Sequence, residues 1–211
     1  PRSAGHQQGV RNVREVVRCA GERGIRYLTL FSFSSENWQR PVDEVDYLMG
    51  LLKRFIRQDL ADLHKAGVRV KVIGRRDDLD AEILALIEEA ERLTAGNEKM
   101  TVVVAFNYGS RDEIARAFRA MQAAVQAGDL SADDVSAETV DRFLDTATIP
   151  DPDLVIRTSG EQRLSNFLLW QSAYAEFVFA EEYWPDFDAA CLDAALESYG
   201  KRERRFGRVT A

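Results

Sequence analysis

Apolar positions along this chain follow two rhythms that take turns. Val10, Val13, Val17 and Ala20, with Val16 beside them, fall on one helical face, and Gly24 follows as a stop; this predicts a first helix over about residues 6–23. Residues 25–33 are β-branched and aromatic and read as a buried strand, followed by a polar loop at 34–40. Pro41 suits the first position of a long helix, which Val45, Leu48, Met49, Leu52, Phe55, Ile56, Leu60 and Leu63 carry to Ala66 before Gly67 ends it. The alternation continues with a strand at 68–73, a helix at 80–93, a continuous apolar strand at 100–106, a helix at 110–127 and a short helix at 137–144. Ser110 and Glu113 have capping-box spacing at the start of the 110–127 helix. Ile149-Pro150-Asp151-Pro152 reads as a turn, 153–157 and 176–179 as strands, and 189–205 as a last helix.

Strands alternating with helices of this length predict one α/β domain over 1–211, a central, largely parallel sheet flanked by helices. In such sheets ligands lie beyond the carboxyl ends of the strands. A hydrophobic content of 45% and a charged content of 30% fit a soluble globular chain, and no apolar run approaches the ~20 residues of a membrane span. A net charge of −7 excludes a strongly basic nucleic-acid binder. Cys19 and Cys191 are far apart and outside any Cys-x-x-Cys pattern, so they read as thiols in a reducing, cytoplasmic setting.

Two predicted strand exits carry chemistry. From Arg157 to Ser165 the chain places two guanidiniums (Arg157, Arg163), three hydroxyls (Thr158, Ser159, Ser165) and Gly160 just before an apolar segment that must be buried. Surface salt bridges are the plain alternative, but arginine suits bidentate contact with phosphate, and the buried anchor would hold the loop still. At 34–40, Glu36-Asn37-Trp38 and Arg40 read either as a helix-entry loop with Trp38 covering the core edge or as a substrate loop. In the second reading Arg40 meets a phosphate, Trp38 an apolar chain, and Asn37 the reacting carbons. Glu176 lies among Tyr174, Phe177 and Phe179 and needs a partner, either a salt bridge or a Mg2+ ion. Asp77-Asp78-Leu79-Asp80 reads as a helix cap. Nucleotide-loop glycine patterns are absent, and His6 and His64 are too far apart in sequence to form a zinc-spaced cluster.

Phe33-Ser34-Ser35-Glu36-Asn37-Trp38-Gln39-Arg40-Pro41 and Arg157-Thr158-Ser159-Gly160-Glu161-Gln162-Arg163-Leu164-Ser165-Asn166-Phe167 together resemble the signature motifs of the cis-prenyltransferases, the bacterial undecaprenyl diphosphate synthases in particular. Asn107-Tyr108-Gly109, Trp170-Gln171, Ala173-Tyr174-Ala175-Glu176, Trp184-Pro185-Asp186 and Arg204-Arg205-Phe206-Gly207 extend the likeness over nearly the whole chain. The resemblance implies a homodimeric α/β enzyme that condenses isopentenyl diphosphate repeatedly onto an allylic diphosphate, farnesyl diphosphate above all, with Mg2+. It further implies contact with a membrane surface when the long product leaves.

Carried over residue by residue, the resemblance gives Arg157, Arg163, Leu164 and Ser165 to isopentenyl diphosphate and Glu176 to Mg2+. It gives Arg2, His6 and Arg40 to the allylic diphosphate, and Ser34, Ser35, Glu36 and Trp38 to the lining of the substrate site. Asn37 takes the position linked to proton removal; an amide is a poor base unaided, so a relay through water or a carboxylate is expected. The strands at 28–33, 70–73 and 102–106 and the 48–56 helix face supply apolar surface for a product tunnel, or simply for a core. The family carries a strand and an Asp-Gly-Asn-Gly-Arg-Trp loop upstream of the region matching Pro1-Arg2, and its aspartate binds Mg2+ and the allylic diphosphate. A polypeptide starting at Pro1 would lack that loop and is expected to be inactive, which leaves a non-catalytic prenyl-diphosphate-binding subunit of the same fold as the alternative. Gln162 departs from a position where histidine can assist the metal.

Overall fold

A computed structural model describes residues 2–202, with side chains from residue 5 onward. The order is α1 (Arg2–Glu22), β1 (Tyr27–Ser34), α2 (Val42–Lys65), β2 (Val68–Ile73), α3 (Ala81–Thr94), β3 (Met100–Tyr108), α4 (Ser110–Ala127), α5 (Ala137–Phe143), β4 (Leu154–Arg157), β5 (Glu176–Phe179) and α6 (Ala189–Gly200). Each strand pairing among the described residues is parallel. The α/β class expected from the alternation is therefore the one adopted. The ladders run as β1-β3-β2 and β4-β5. They fall in two compact units: one is Gly24–Pro150, the other joins Pro1–Arg23 to Asp151–Ala211.

In the Gly24–Pro150 unit β3 is the middle strand, which explains its continuous apolar run: Val102, Val103, Ala105, Phe106 and Tyr108 are all buried. Phe33, Val45, Leu79, Ile83, Ile87 and Phe106 form one core cluster, with Leu48, Met49 and Leu52 of α2 packed against it. Leu60, Val70 and Ala90 form another, with Ile56 and Leu63 beside it. Fully burying such a side chain contributes about 1.5–3 kcal/mol. Much of the surface expected of a product tunnel is thus engaged in core packing. Asp80 caps α3, accepting from the Glu82 N–H at 2.7 Å and the Ile83 N–H at 3.3 Å, as the acidic run predicts.

Three expectations change here. The pattern at 25–33 predicts a buried strand, yet Phe33 alone in β1 is fully buried and Tyr27 is 42% exposed. β1 is an edge of its ladder among the described residues, so its sequence records strand propensity rather than burial. The Ser110–Glu113 capping box does not form: Gly109 is the N-cap, and Glu113 turns inward to Tyr108. The last helix stops at Gly200 rather than 205, and the Arg204–Gly207 motif lies outside the described residues.

In the other unit β4 and β5 pair in register, Leu154 opposite Glu176 and Arg157 opposite Phe179. The α1 helix is pinned by Asn12, whose Nδ2 donates to the carbonyls of Trp184 at 2.6 Å and Phe187 at 2.8 Å. At Gly9, Trp184 Nε1 donates to the backbone carbonyl, and a Cβ would come within 3.2 Å of the indole. Cys19 is buried, Cys191 half-buried, and both are free thiols.

Candidate functional site

Because β1, β2 and β3 are parallel, their carboxyl ends open on one side of their ladder. A register shift between Phe31 and Ser34 bends the end of β1, as bulges do beside functional loops. The chain then enters a 3-10 turn, Ser35–Gln39, with Ser34 as N-cap. Asn37 Oδ1 accepts the Ser34 N–H at 3.0 Å, and Ser34 Oγ accepts the Glu36 N–H at 3.2 Å. This is a reciprocal capping box, unforeseen in the sequence because asparagine stands where Glu or Gln usually closes it. The Glu36 carboxylate also accepts from the Ser34 hydroxyl and, at 3.2 Å, from the Ser35 hydroxyl. Arg40 forms an ion pair with Glu44 at 2.9 Å, in the first turn of α2.

Trp38 is held at both ends. Its ring meets Phe33 edge-on, with centroids 5.0 Å apart at 71°, and its Nε1 donates to Asn107 Oδ1 at 2.8 Å. Asn107, next to last in β3, has φ 49° and is itself buried. Its Nδ2 donates to the Arg75 carbonyl at 2.9 Å, and its carbonyl accepts the Arg75 N–H at 3.1 Å. The exits of β1, β2 and β3 are thereby tied together. Gly74 permits the approach: at φ 121°, an added Cβ would sit 2.0 Å from the Phe106 carbonyl oxygen.

Below this clasp, Tyr108 donates to Glu113 at 2.5 Å, and Glu113 accepts the Asp145 N–H at 3.0 Å. Asp145 accepts from both terminal nitrogens of Arg116 at 2.8 Å and from the Gly74 N–H at 2.9 Å. Burial, with the Glu113 carboxylate alongside, pushes the Tyr108 hydroxyl well above the ordinary tyrosine range.

The β4 exit is built differently. Arg157 leads into a loop in which Ser159 (φ 71°), Gly160 (φ 65°), Ser165 (φ 49°), Asn166 (φ 62°) and Leu168 (φ 45°) all take left-handed backbone. The Ser159 N–H donates to the Glu182 carbonyl at 2.7 Å and the Gly160 N–H to the Ala180 carbonyl at 2.9 Å, lacing this exit to that of β5. The Glu181 carboxylate lies over Gly160, 2.8 Å from where a Cβ would be. Leu168 is buried, the anchor expected of the apolar segment. Arg157 Nε is buried and without a hydrogen-bond partner among the described residues. A buried cationic donor left in that state is costly, and an anion would relieve it. Arg163 is 63% exposed and paired with Glu161, Leu164 is half-buried, and Ser165 is exposed.

Glu176 opens β5 opposite Leu154, three residues before the partner of Arg157, so their backbones differ by about 10 Å along the strand direction. Its carboxylate accepts from Arg202 at 2.7 Å. The salt bridge that was the plain expectation is present. His6 is half-buried on α1, and the Arg2 side chain lies outside the described ones. Gly74, Arg75, Asp145 and the clasp made by Asn107 carry no sequence signal of their role here, and Glu113 has only its misleading cap spacing. Only a buried asparagine at a strand end hints at the clasp, since its bonds join residues 32 and 69 positions apart.

A family model described as "Putative undecaprenyl diphosphate synthase" matches residues 1–207. An isoprenyl transferase of Agrobacterium fabrum is 61% identical over 98% of this chain and 84% of its own length. One from Brucella abortus is 62% identical over 99% and 82%. Among solved structures, lavandulyl diphosphate synthase from Lavandula x intermedia, in complex with dimethylallyl diphosphate, superposes with a TM-score of 0.95 at 38% identity, covering 98% of this chain and 89% of that one. A probable undecaprenyl diphosphate synthase from Campylobacter jejuni gives 0.85 at 35% identity, over 96% and 93%.

Proposed function

The chain belongs to the cis-prenyltransferase family, and on that premise we propose that it adds isopentenyl diphosphate repeatedly to an allylic diphosphate, farnesyl diphosphate first, with Mg2+. The observation that carries the reading is the buried Arg157 Nε, unpartnered among the described residues, at a strand exit rich in hydroxyls and left-handed backbone. The dimethylallyl diphosphate of the lavender neighbour supports an allylic substrate here too. A cytoplasmic homodimer is part of the same proposal.

In each condensation the allylic C–O bond breaks and diphosphate leaves with its electrons. The isopentenyl double bond supplies the pair for the new C–C bond, and a proton departs from the neighbouring carbon. Arg157, Arg163 and Ser165 would hold the isopentenyl diphosphate, Arg157 most firmly because its buried donor has no competing partner among the described residues. Arg40 would hold the allylic diphosphate, exchanging Glu44 for it. Asn37 already uses its carbonyl on Ser34, so we assign it to orienting substrate through Nδ2. Glu36, gathering the Ser34 and Ser35 hydroxyls, is the carboxylate of this loop able to take up the proton. Glu176 would supply one carboxylate to Mg2+ once Arg202 moves aside. No group of three ligand side chains occurs among the described residues, and Mg2+ held by one or two carboxylates plus substrate phosphates is compatible with that. When bound, Mg2+ would neutralise charge growing on the leaving diphosphate.

Incubating the full-length protein with radiolabelled isopentenyl diphosphate, farnesyl diphosphate and Mg2+ tests the proposal. Long polyprenyl diphosphates are expected, and a reaction yielding no extended product would sink it.

A further inference from the structure

We propose that Asn107 is a positioning residue that fixes the Trp38 indole as a rigid apolar wall for the hydrocarbon part of the allylic diphosphate, an inference that rests on assigning the 34–40 loop to that substrate. Asn107 is only 4% exposed, and its side chain spends both ends on the clasp: Oδ1 on Trp38 Nε1 at 2.8 Å, Nδ2 on the Arg75 carbonyl at 2.9 Å. Reversing the amide would set donor against donor and acceptor against acceptor, so one orientation survives. Its left-handed backbone, φ 49°, is locked by the further bond from the Arg75 N–H.

Trp38, in contrast, is 40% exposed. A tryptophan in that setting would ordinarily sample several rotamers. Here the polar end is tethered to a buried group and the ring edge rests on Phe33, while much of the ring remains open to solvent. Ordering that face in advance lowers the cost of ordering it on binding. Had Asn107 served only to close the β2 exit, its bonds to Arg75 would suffice. The bond to Trp38 is what reaches the substrate loop.

Asn107→Gly tests this, because glycine accepts φ 49° and deletes only the side-chain bonds. Binding of radiolabelled farnesyl diphosphate is measured by equilibrium dialysis, and Trp38 emission is taken as the spectrum with minus without Trp38→Phe. Asn107→Gly is expected to weaken farnesyl diphosphate binding about tenfold and to red-shift Trp38 emission. In the Trp38→Phe background it should add less than about twofold, since the group it positions is gone. A tenfold loss in both backgrounds, or an unmoved Trp38 emission, would overturn the proposal. Should Asn107→Gly not fold, Asn107→Asp serves instead. It keeps an acceptor for Nε1, so farnesyl diphosphate binding should stay within about threefold, and a loss equal to that of Trp38→Phe would end the proposal. If the wild-type protein binds no farnesyl diphosphate, the allylic assignment fails. The emission shift then still decides whether Asn107 holds Trp38.

Discussion

The two strand-exit loops reach rigidity by opposite routes. Between 34 and 40, the side chains satisfy one another: Ser34 with Asn37 and Glu36, Trp38 with Asn107, Arg40 with Glu44. Between 157 and 168, backbone conformation carries the shape, with left-handed residues at 159, 160, 165, 166 and 168, and a buried cationic donor has no partner among the described residues. The first loop is finished without ligand and suits a wall or an orienting surface. The second keeps that donor open among the described residues, an arrangement that suits an anion. A loop that must stay in shape between turnovers saturates its own bonds, whereas a loop that must pay for binding keeps one strong donor in reserve.

The sharpest way to break the first loop lies outside it. Gly74→Ala would place a methyl 2.0 Å from the Phe106 carbonyl oxygen, at a backbone φ of 121° that L-residues avoid. We expect a loss of more than about 3 kcal/mol, read as the shift in the urea midpoint, because the clash is with backbone and cannot be relieved by a rotamer. A small loss would show the clasp to be soft, and the contrast between the loops would weaken.

Arg157→Met probes the second loop at its reserve donor. Charge-assisted bonds to phosphate contribute about 1.5–3 kcal/mol, so the KM for isopentenyl diphosphate should rise roughly 10- to 150-fold. The melting temperature should hold or rise, since a buried donor without a partner among the described residues is removed and volume largely kept. A lowered melting temperature with unchanged KM would make Arg157 part of the framework.

Tyr108→Phe sharpens the same contrast through pH. The Tyr108 hydroxyl is buried against Glu113, and its folded pKa lies above the unfolded value of about 10. The native state therefore keeps its proton where the unfolded state loses it. The stabilising effect is complete below pH 10 and declines as pH rises beyond it, by up to about 1.4 kcal/mol per pH unit. Tyr108→Phe should cost about 1–2 kcal/mol at pH 7, leaving Glu113 short of a donor, and should flatten the decline between pH 10 and 11. Urea midpoints across that range decide it; equal slopes would remove Tyr108 as the cause.

Much of this was legible in the sequence, for reasons particular elements make plain. Periodicity located α2 through α4, because Val45, Ile83, Ala117 and their neighbours face a core at helical spacing. β2 was bounded correctly because Gly67 and Gly74 flank it, and β5 because its short run of aromatic and β-branched residues stands out between alanines and acidic residues. Both loops were visible as chemistry, since Asn37 and Trp38 lie close together in one and Arg157 and Arg163 in the other. The clasp was not, because no local pattern reveals that Asn107 reaches Trp38 or that Gly74 admits Phe106. Glu113 misled for the opposite reason: its spacing from Ser110 fits a cap, but a buried tyrosine next door competes for the carboxylate and wins.

The smallest effect is expected at Arg163. It is 63% exposed and already neutralised by Glu161 two residues earlier, so a diphosphate gains it only by displacing that carboxylate. Exposed pairs of this kind contribute about 0–1 kcal/mol, and Arg163→Gln should leave the melting temperature nearly unchanged. The KM for isopentenyl diphosphate should rise only about three- to tenfold, less at higher salt because an exposed contact is screened where the buried Arg157 contact is not. Glu161→Gln should move KM the other way by a small factor, by freeing the guanidinium in advance. If Arg163→Gln instead costs as much as Arg157→Met and resists salt, the loop closes over Arg163 on binding. Its shape would then belong to the complex, and the second loop would owe its rigidity to the substrate more than to its left-handed backbone.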